Sequence, residues 1–270
     1  MELDLLYKRL NRPYKERLEF LEKYPALVEY RDDLYLERLS LYNMLGNFEK
    51  AYTLIMDRKF HPWEGGEGKV TRQYKLSLIE MAKISINNKN YKKAIELLEK
   101  AKYFPENLGE GKLPGAQEND INYWMGAAYN GLNDENKAKK YWKMASEGLN
   151  EPAAVLYYND QQPDKIFYQG LALLKLNEFG KARGKFNKLI DYGEKHIFDK
   201  VKMDYFAVSL PDLLIWEDDP DKRNRLHCLY LMALGYMGLN QTEKAEDYFN
   251  RVLSEDLYHI GALIHKNLKF

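Results

Sequence analysis

The sequence has little of several features that would assign it to a specialised class. Cys228 is the single cysteine among 270 residues, which excludes an internal disulfide framework and fits a reducing compartment. Basic and acidic residues balance at 41 each, whereas sequence-independent nucleic-acid binding needs a cationic excess. The most apolar window, 226–239, contains His227 and two glycines and is too short to cross a bilayer. We therefore expect a cytoplasmic protein with neither a nucleic-acid nor a membrane partner.

Common catalytic and metal-binding patterns are also missing. The sequence has no His-Glu-x-x-His, no Cys-x-x-Cys and no Gly-x-Ser-x-Gly element. The histidines show no metal-ligand spacing; they stand at positions 61, 196, 227, 259 and 265. We expect neither a metal nor a cofactor.

What the chain does have is an internal repeat. Five segments share a turn, usually of small or polar residues, followed by Lys-Ala at the start of an apolar-periodic helix. The alanines are Ala51, Ala94, Ala138, Ala182 and Ala245. Four residues after each alanine comes a large side chain: Ile55, Leu98, Trp142, Phe186 and Phe249. Residues i and i+4 share a helix face, so each pair lets two helices approach closely and interlock.

This pattern resembles the tetratricopeptide repeat. The third repeat carries the resemblance best, with Met125, Gly126, Tyr129, Ala138, Trp142 and Ala145 at the family's positions. The resemblance implies an all-α right-handed superhelix of about five helix pairs with extended loops between them. Because one pair cannot bury its apolar stripe alone, stacked neighbours share a continuous core.

The repeats organise the chain as one solenoid over 1–270 with no strand. We expect capping helices within 1–31, repeats one to four over 32–192, an insertion over 193–225, and repeat five with a closing helix over 226–270. The insertion is expected to add a helix pair or a loop over one face.

The spacing of the repeats is unusual. Successive alanines are 43, 44, 44 and 63 residues apart, where the standard repeat has 34 residues. Two of the insertions contain Gly-Glu-Gly-Lys, at 66–69 and 109–112. Neither fits a nucleotide-binding P-loop, because Val70 and Leu113 stand where a serine or threonine would hold magnesium. Long loops in solenoids often lie on the binding side.

Two interpretations of these insertions stay open. In one, Trp63 and Leu108 fill gaps between helix pairs, and the charged residues form surface ion pairs. In the other, the loops line one polar and aromatic groove, formed by Trp63, Glu64, Glu67, Lys69, Glu110, Lys112, Gln117, Glu118, Asn119 and Asp120.

The resemblance also implies which residues face inward. The fifth and sixth positions of each first helix line the concave side in this family, and here they include Tyr123, Trp124, Phe167 and Tyr168. The Lys, Asn and Arg set with which some family members grip a peptide carboxylate is absent. Aromatic rings beside acids and amides suit an aromatic-anchored peptide or a sugar. Alternatively, the long loops fold back and bury these rings.

Three stretches sharpen the resemblance: 60–69, 105–109 and 204–212. They are similar to the C-terminal helical region of large bacterial proteins in which a sugar-mutarotase-like β-sandwich precedes tetratricopeptide repeats. That similarity implies a carbohydrate-linked context, with such a β-sandwich domain as one partner.

The sequence favours a non-catalytic scaffold that binds a protein or peptide through the concave face and the Gly-Glu-Gly-Lys loops. A glycan-binding accessory module that takes an oligosaccharide is the first alternative. The second is a glycoside hydrolase in which Glu67 and Glu110 would be the paired carboxylates.

Overall fold

A computed structural model describes residues 1–63, 65–154, 162–201 and 219–270. Across these ranges the chain forms fourteen α-helices and one short 3₁₀ helix, and none of the described residues lies in a strand. The predicted all-α solenoid is confirmed. Of the predicted insertion, residues 202–218 lie outside the described ranges.

Ten of the helices form five consecutive pairs. The first helices of the pairs are α4 (Asp32–Met44), α6 (Lys69–Asn87), α8 (Asn119–Gly131), α10 (Pro163–Lys175) and α12 (Pro220–Gly238). The second helices are α5 (Phe48–Met56), α7 (Tyr91–Ala101), α9 (Glu135–Ser146), α11 (Phe179–His196) and α13 (Thr242–Glu255). Each first helix packs on the first helix of the next pair, so these helices form the inner layer and the second helices form the outer layer.

Short helices flank the five pairs. α1 (Glu2–Arg9), α2 (Tyr14–Glu22) and α3 (Pro25–Tyr30) precede them, and α14 (Ile260–Lys266) follows them. The sequence predicts α2, α3 and α14 but gives no sign of α1. The 3₁₀ helix, Glu106–Leu108, lies in the loop after α7.

The turn within each pair uses the same backbone conformation. One residue has a positive φ in each of the five turns: Gly46, Lys89, Asn133, Asn177 and Asn240. In every turn the following residue donates its N–H to a carbonyl five positions earlier: Asn47 to Tyr42, Asn90 to Ser85, Asp134 to Tyr129, Glu178 to Leu173 and Gln241 to Tyr236. This bond ends the first helix and turns the chain back along it.

The repeated alanines and the large side chains that follow them lie at the helix interfaces. All ten side chains are buried. The first helices supply small residues opposite some of the large ones, so a Cβ on Gly126 would lie 2.4 Å from the Trp142 ring, and one on Gly170 would lie 2.3 Å from Phe186. The paired helices therefore interlock at atomic contact, as close packing of a protein interior requires.

The two ends of the array meet. The Asn11 side chain donates to the Glu255 carbonyl at 3.2 Å and accepts the Leu257 N–H at 3.1 Å. The rings of Tyr14 and Tyr258 make an edge contact at 5.3 Å, and the Arg17 guanidinium lies 4.7 Å from the centre of the Tyr258 ring. The helix pairs thus curve tightly enough for α2 and the loop before it to contact the α13–α14 turn.

Candidate functional site

The two glycine-rich loops lie against each other. The Phe60 N–H donates to the Asn107 carbonyl at 2.8 Å, and the Asn107 side chain donates to the carbonyls of Ile55 and Arg58, both at 2.9 Å. Gly109 has φ 75°, and a Cβ there would lie 2.7 Å from the Phe60 carbonyl oxygen. Main-chain contacts therefore tie the insert after α5 to the insert after α7.

Glu110 in the second loop caps a helix that begins in the first loop. Its two carboxylate oxygens accept the Gly68 N–H at 2.9 and 3.0 Å, and the Thr71 hydroxyl lies 3.5 Å away. Burial is the main cause that raises the pKa of Glu110; Glu67 adds to it, and the Gly68 hydrogen bond opposes it. The carboxylate satisfies a backbone donor at the positive end of α6.

Trp63, Glu67 and Lys69 surround the start of the same helix. Trp63 is half-buried, and its indole packs over Gly66, where a Cβ would lie 2.2 Å from the ring. Glu67 is half-buried and Lys69 is exposed, and both have interaction partners. Glu64 lies outside the described residues.

The rest of the second loop is held by local bonds. Lys112 forms an ion pair with Glu118 and donates to the Lys102 carbonyl at 3.2 Å. The Gln117 amide donates to the Gly115 carbonyl at 3.0 Å. These polar side chains fix the path of the loop into α8.

Asn119 and Asp120 face different partners although they are adjacent. The buried Asn119 amide donates to the carbonyls of Ala145 and Glu147, at 2.8 and 2.7 Å, and so caps the end of α9. The Asp120 carboxylate lies 2.5 Å from the Lys165 ammonium. Burial alone would raise the pKa of Asp120, but Lys165 and Lys75 lower it below the ordinary value.

The structure brings together the four aromatic residues that the sequence places on the inner face. Tyr123 lies 5.0 Å from Trp124 and 5.6 Å from Tyr168, measured between ring centres, and Phe167 lies 5.6 Å from Tyr168. All four side chains are buried. Within the described part of the chain no aromatic contact joins these rings to Trp63.

Helix α14 covers part of this aromatic cluster. The His265 ring lies 5.8 Å from Phe167 and 5.7 Å from Tyr168, and its Nδ1 atom is 2.9 Å from the Tyr230 hydroxyl. The Phe270 ring lies 6.0 Å from Phe167. The last helix and the residues after it therefore contact the inner face, a placement that the sequence does not reveal.

Two cations of α6 were not singled out by the sequence. Arg72 and Lys75 lie three residues apart on α6, and within the described residues neither side chain makes a hydrogen bond or a salt bridge. Desolvation by the surrounding protein is the main cause that lowers the pKa of both groups, although the Arg72 side chain is exposed, and Lys165 lowers the pKa of Lys75 further. Asp164 is the acid that acts on both. Their i, i+3 spacing is visible in the sequence, but only the structure shows which face of α6 carries them.

Neither metal binding nor thiol chemistry has support among the described residues. No group of three His, Cys, Asp or Glu side chains could hold a metal ion in those ranges. Cys228 is buried, and burial raises the pKa of its thiol to about 12. No helix in the described ranges is both long and apolar enough to cross a membrane.

Two segments match family models of the tetratricopeptide repeat, residues 77–107 and residues 227–256. The first spans most of α6 and all of α7, and the second spans most of α12 and all of α13. The chain therefore contains tetratricopeptide repeats. These matches leave the relation to proteins with a sugar-mutarotase-like domain as a prediction.

Two solved structures of tetratricopeptide repeat proteins are similar to this one. The first is YrrB, described as a protein with an unusual peptide-binding site; it is 15% identical, with 92% of this chain and 100% of that chain covered, at a TM-score of 0.31. The second is the C-terminal part of a repeat-containing protein from Cytophaga hutchinsonii, also 15% identical, with 99% of both chains covered, at a TM-score of 0.28.

Proposed function

We propose that this tetratricopeptide repeat protein is a non-catalytic scaffold that binds a protein or peptide partner through its inner face. The observation that carries the proposal is the placement of α14. A short helix with an aromatic residue after it packs on Phe167, Tyr168 and Tyr230, as a peptide ligand would. A partner segment would then compete with α14 for these rings.

The charges beside the rings indicate what such a partner would carry. Arg72 and Lys75 offer donors that no acceptor in the described residues occupies. The neighbouring Lys165 is already paired with Asp120 and Asp164, at 2.5 and 3.7 Å. An acidic side chain close to an apolar or aromatic anchor fits this combination of groups.

In this proposal the Gly-Glu-Gly-Lys loops form one rim of the face. Trp63, Glu67 and Lys69 would contact a partner there, with Lys112 and Gln117 further along the rim. Glu110 would act indirectly, because its carboxylate holds the start of α6. No specific observation favours a glycan ligand or glycoside hydrolysis over a peptide.

A displayed library of random peptides, panned against the intact protein, tests the proposal. Binders are expected to combine acids with an aromatic or large apolar residue. Arg72→Glu with Lys75→Glu should weaken their binding at least about tenfold, since both donors become like charges. Lys92→Glu with Lys100→Glu, on the exposed side of α7, is the matched control and should leave binding unchanged.

Two results would contradict the proposal. Peptide binding that persists in the Arg72 and Lys75 variant, but is lost when residues on another surface are changed, would contradict an inner-face site. Failure of every peptide to bind, with the protein folded by circular dichroism, would contradict the scaffold itself.

A further inference from the structure

An open groove crosses the outer layer between the third and fourth helix pairs. Its volume is about 980 Å³, at the upper end of the size range of ligand pockets in proteins. The walls are α9 and α11, and the floor includes Leu173 and Leu176 at the end of α10. The groove is on the face opposite the aromatic cluster of the inner layer.

Each wall presents one complete helical face. Residues 136, 139, 140 and 143 line the groove from α9, and residues 181, 184, 185 and 188 line it from α11. Both sets follow the i, i+3, i+4, i+7 spacing of a single face. The groove is therefore formed by regular, rigid elements.

The groove is strongly cationic in a chain whose net charge is zero. Six lysines line it against two glutamates: Lys139, Lys140, Lys143, Lys181, Lys185 and Lys188, with Glu147 and Glu178. Lys139 pairs with Glu135 of α9, Lys181 pairs with Glu178 just before α11, and Lys188 pairs with Glu151. These ion pairs neutralise only part of the positive charge of the groove.

Three of the lysines have no carboxylate partner. The side chains of Lys140 and Lys143 make no hydrogen bond or salt bridge within the described residues. Lys185 donates to the Gln169 side-chain carbonyl at 2.8 Å, and burial, with Lys188 adding to it, lowers its pKa. The positive charges of neighbouring lysines repel one another, and an anion bound between them would offset this repulsion.

The fold does not require these lysines. Measured from the repeated alanine, Lys140 and Lys143 of α9 correspond to Glu96 and Glu99 of α7. On α13 the matching residues are Asp247 and Asn250, and on α5 they are Thr53 and Met56. The other outer helices thus keep the repeated alanine without these lysines, so the cationic groove is a local property of the third and fourth pairs.

Gly184 adds an observation of a different kind. It lies in the middle of α11, where glycine costs about 1 kcal/mol relative to alanine, and a Cβ on it would meet nothing within 4 Å. Packing inside the protein therefore does not explain the glycine. Its missing side chain deepens the groove wall and lets another backbone come close.

We infer that this outer groove binds an acidic peptide segment of a partner protein, with acids contacting Lys140, Lys143 and Lys185 and an apolar residue over Leu173 and Leu176. The apolar floor favours a peptide over a nucleic acid. Ion pairs also interrupt the row of lysines, whereas the phosphates of a nucleic acid need a continuous cationic surface. The inference goes beyond the proposed function, because the groove is separate from the inner face and either site can fail alone.

Fluorescence anisotropy with a labelled peptide of glutamates and leucines tests the inference on the intact protein. The same peptide with glutamine in place of glutamate is the probe control. We expect the acidic peptide to bind at least about tenfold more tightly than its glutamine counterpart, and to weaken as salt rises from about 50 to about 200 mM.

Variants locate the binding. Lys140→Glu with Lys143→Glu should reduce affinity at least about tenfold, while Lys92→Glu with Lys100→Glu on α7 should not. Gly184→Gln should raise helix stability yet weaken binding, because the new side chain fills the groove. The inner-face change Arg72→Glu with Lys75→Glu should leave this probe's affinity unchanged, which separates the two proposed sites.

Three results would overturn the inference. One is the absence of binding by the acidic peptide at low salt. Another is binding that the Lys140 and Lys143 changes leave intact. The third is equally tight binding of a single-stranded DNA oligonucleotide of the same charge, which would mean a general anion surface rather than a peptide groove.

Discussion

Glu110 shows how one side chain connects two repeats. The first N–H groups of a helix have no partner within it, and a carboxylate at that end is favoured by the helix dipole. Glu110 reaches this position on α6 from the following insert, 42 residues later in the sequence. The sequence indicates the acid and the glycine-rich turn, but only the fold shows that the carboxylate serves α6.

His265 makes the position of α14 dependent on pH. Burial lowers the pKa of His265 from its ordinary 6.5 to about 4, against the attraction of Asp164. The unfolded segment therefore binds a proton between about pH 6.5 and 4 that the packed segment does not, so the packing is fully stable above pH 6.5 and weakens as the pH falls. His259 acts in the same direction, because burial also lowers its pKa and its Nδ1 atom caps α14 by accepting the Ala262 N–H.

Hydrogen exchange of residues 260–266 at pH 7 and pH 5, corrected for intrinsic rates, measures this effect. We expect the wild-type protein to lose protection of α14 at pH 5. His259→Asn with His265→Gln should remove most of the pH dependence, since neither replacement titrates, whereas His196→Gln on α11 should preserve it. An identical pH profile in the double variant and the wild type would contradict the account.

At the scale of elements, one of the five turns within the helix pairs has an unusual residue at the position with positive φ. Gly46, Asn133, Asn177 and Asn240 adopt a positive φ at this position with little cost, but Lys89 adopts it with φ 59°. Lys89→Gly is expected to stabilise the protein by about 1 kcal/mol. Urea denaturation measures the change.

A control separates backbone strain from loss of the lysine charge. Lys89→Ala removes the charge but keeps a Cβ in the left-handed conformation, so its stability should stay within about 0.5 kcal/mol of the wild type. Equal stabilisation by glycine and alanine would show that the turn conformation is not the cause.

The regular elements are the part of the structure that the sequence predicts well. The Lys-Ala starts and the large residue four positions later locate the second helices, because packing at the repeat interface requires a small and a large side chain on one face. Helix α1 was not predicted. Its buried Asp4 is held by Arg17, a contact that depends on the tertiary fold.

The surfaces are less predictable from the sequence. The rings of Tyr123, Trp124, Phe167 and Tyr168 follow from their positions in the first helices, and the structure does bring them together. That α14 would contact them depends on the curvature of the whole array, which local patterns do not encode. The lysines of the outer groove have a regular helical spacing in the sequence. Because the total charge of the chain is balanced, its composition gives no sign of a cationic surface.

At the scale of the whole molecule, Arg17 connects the two ends of the array. Its guanidinium is fully buried and bonds to both Asp4 oxygens at 2.9 and 2.7 Å, to Glu37 at 2.9 Å, and lies over Tyr258. Arg17→Met would leave the buried Asp4 carboxylate unpaired, so we expect a loss of about 3–5 kcal/mol of stability. Chemical denaturation measures the loss, and hydrogen exchange at residues 255–258 should increase with it.

The neighbouring arginine provides a comparison. Arg12 is exposed and lies 5.9 Å from the centre of the Tyr7 ring, so Arg12→Met should cost less than about 0.5 kcal/mol. Asp4→Asn together with Arg17→Met should recover part of the stability lost by Arg17→Met alone, because no buried charge remains. A loss below about 1 kcal/mol in Arg17→Met would mean that the ends are not held together by this cluster.

The account depends most on the inner face being able to bind a helical segment. Photo-cross-linking from position 270, with benzoylphenylalanine in place of Phe270, tests this directly in the intact protein. We predict an intramolecular cross-link to α10 near Phe167, diminished by a peptide that binds the inner face. Cross-links confined to other surfaces, or none in the folded protein, would contradict the account.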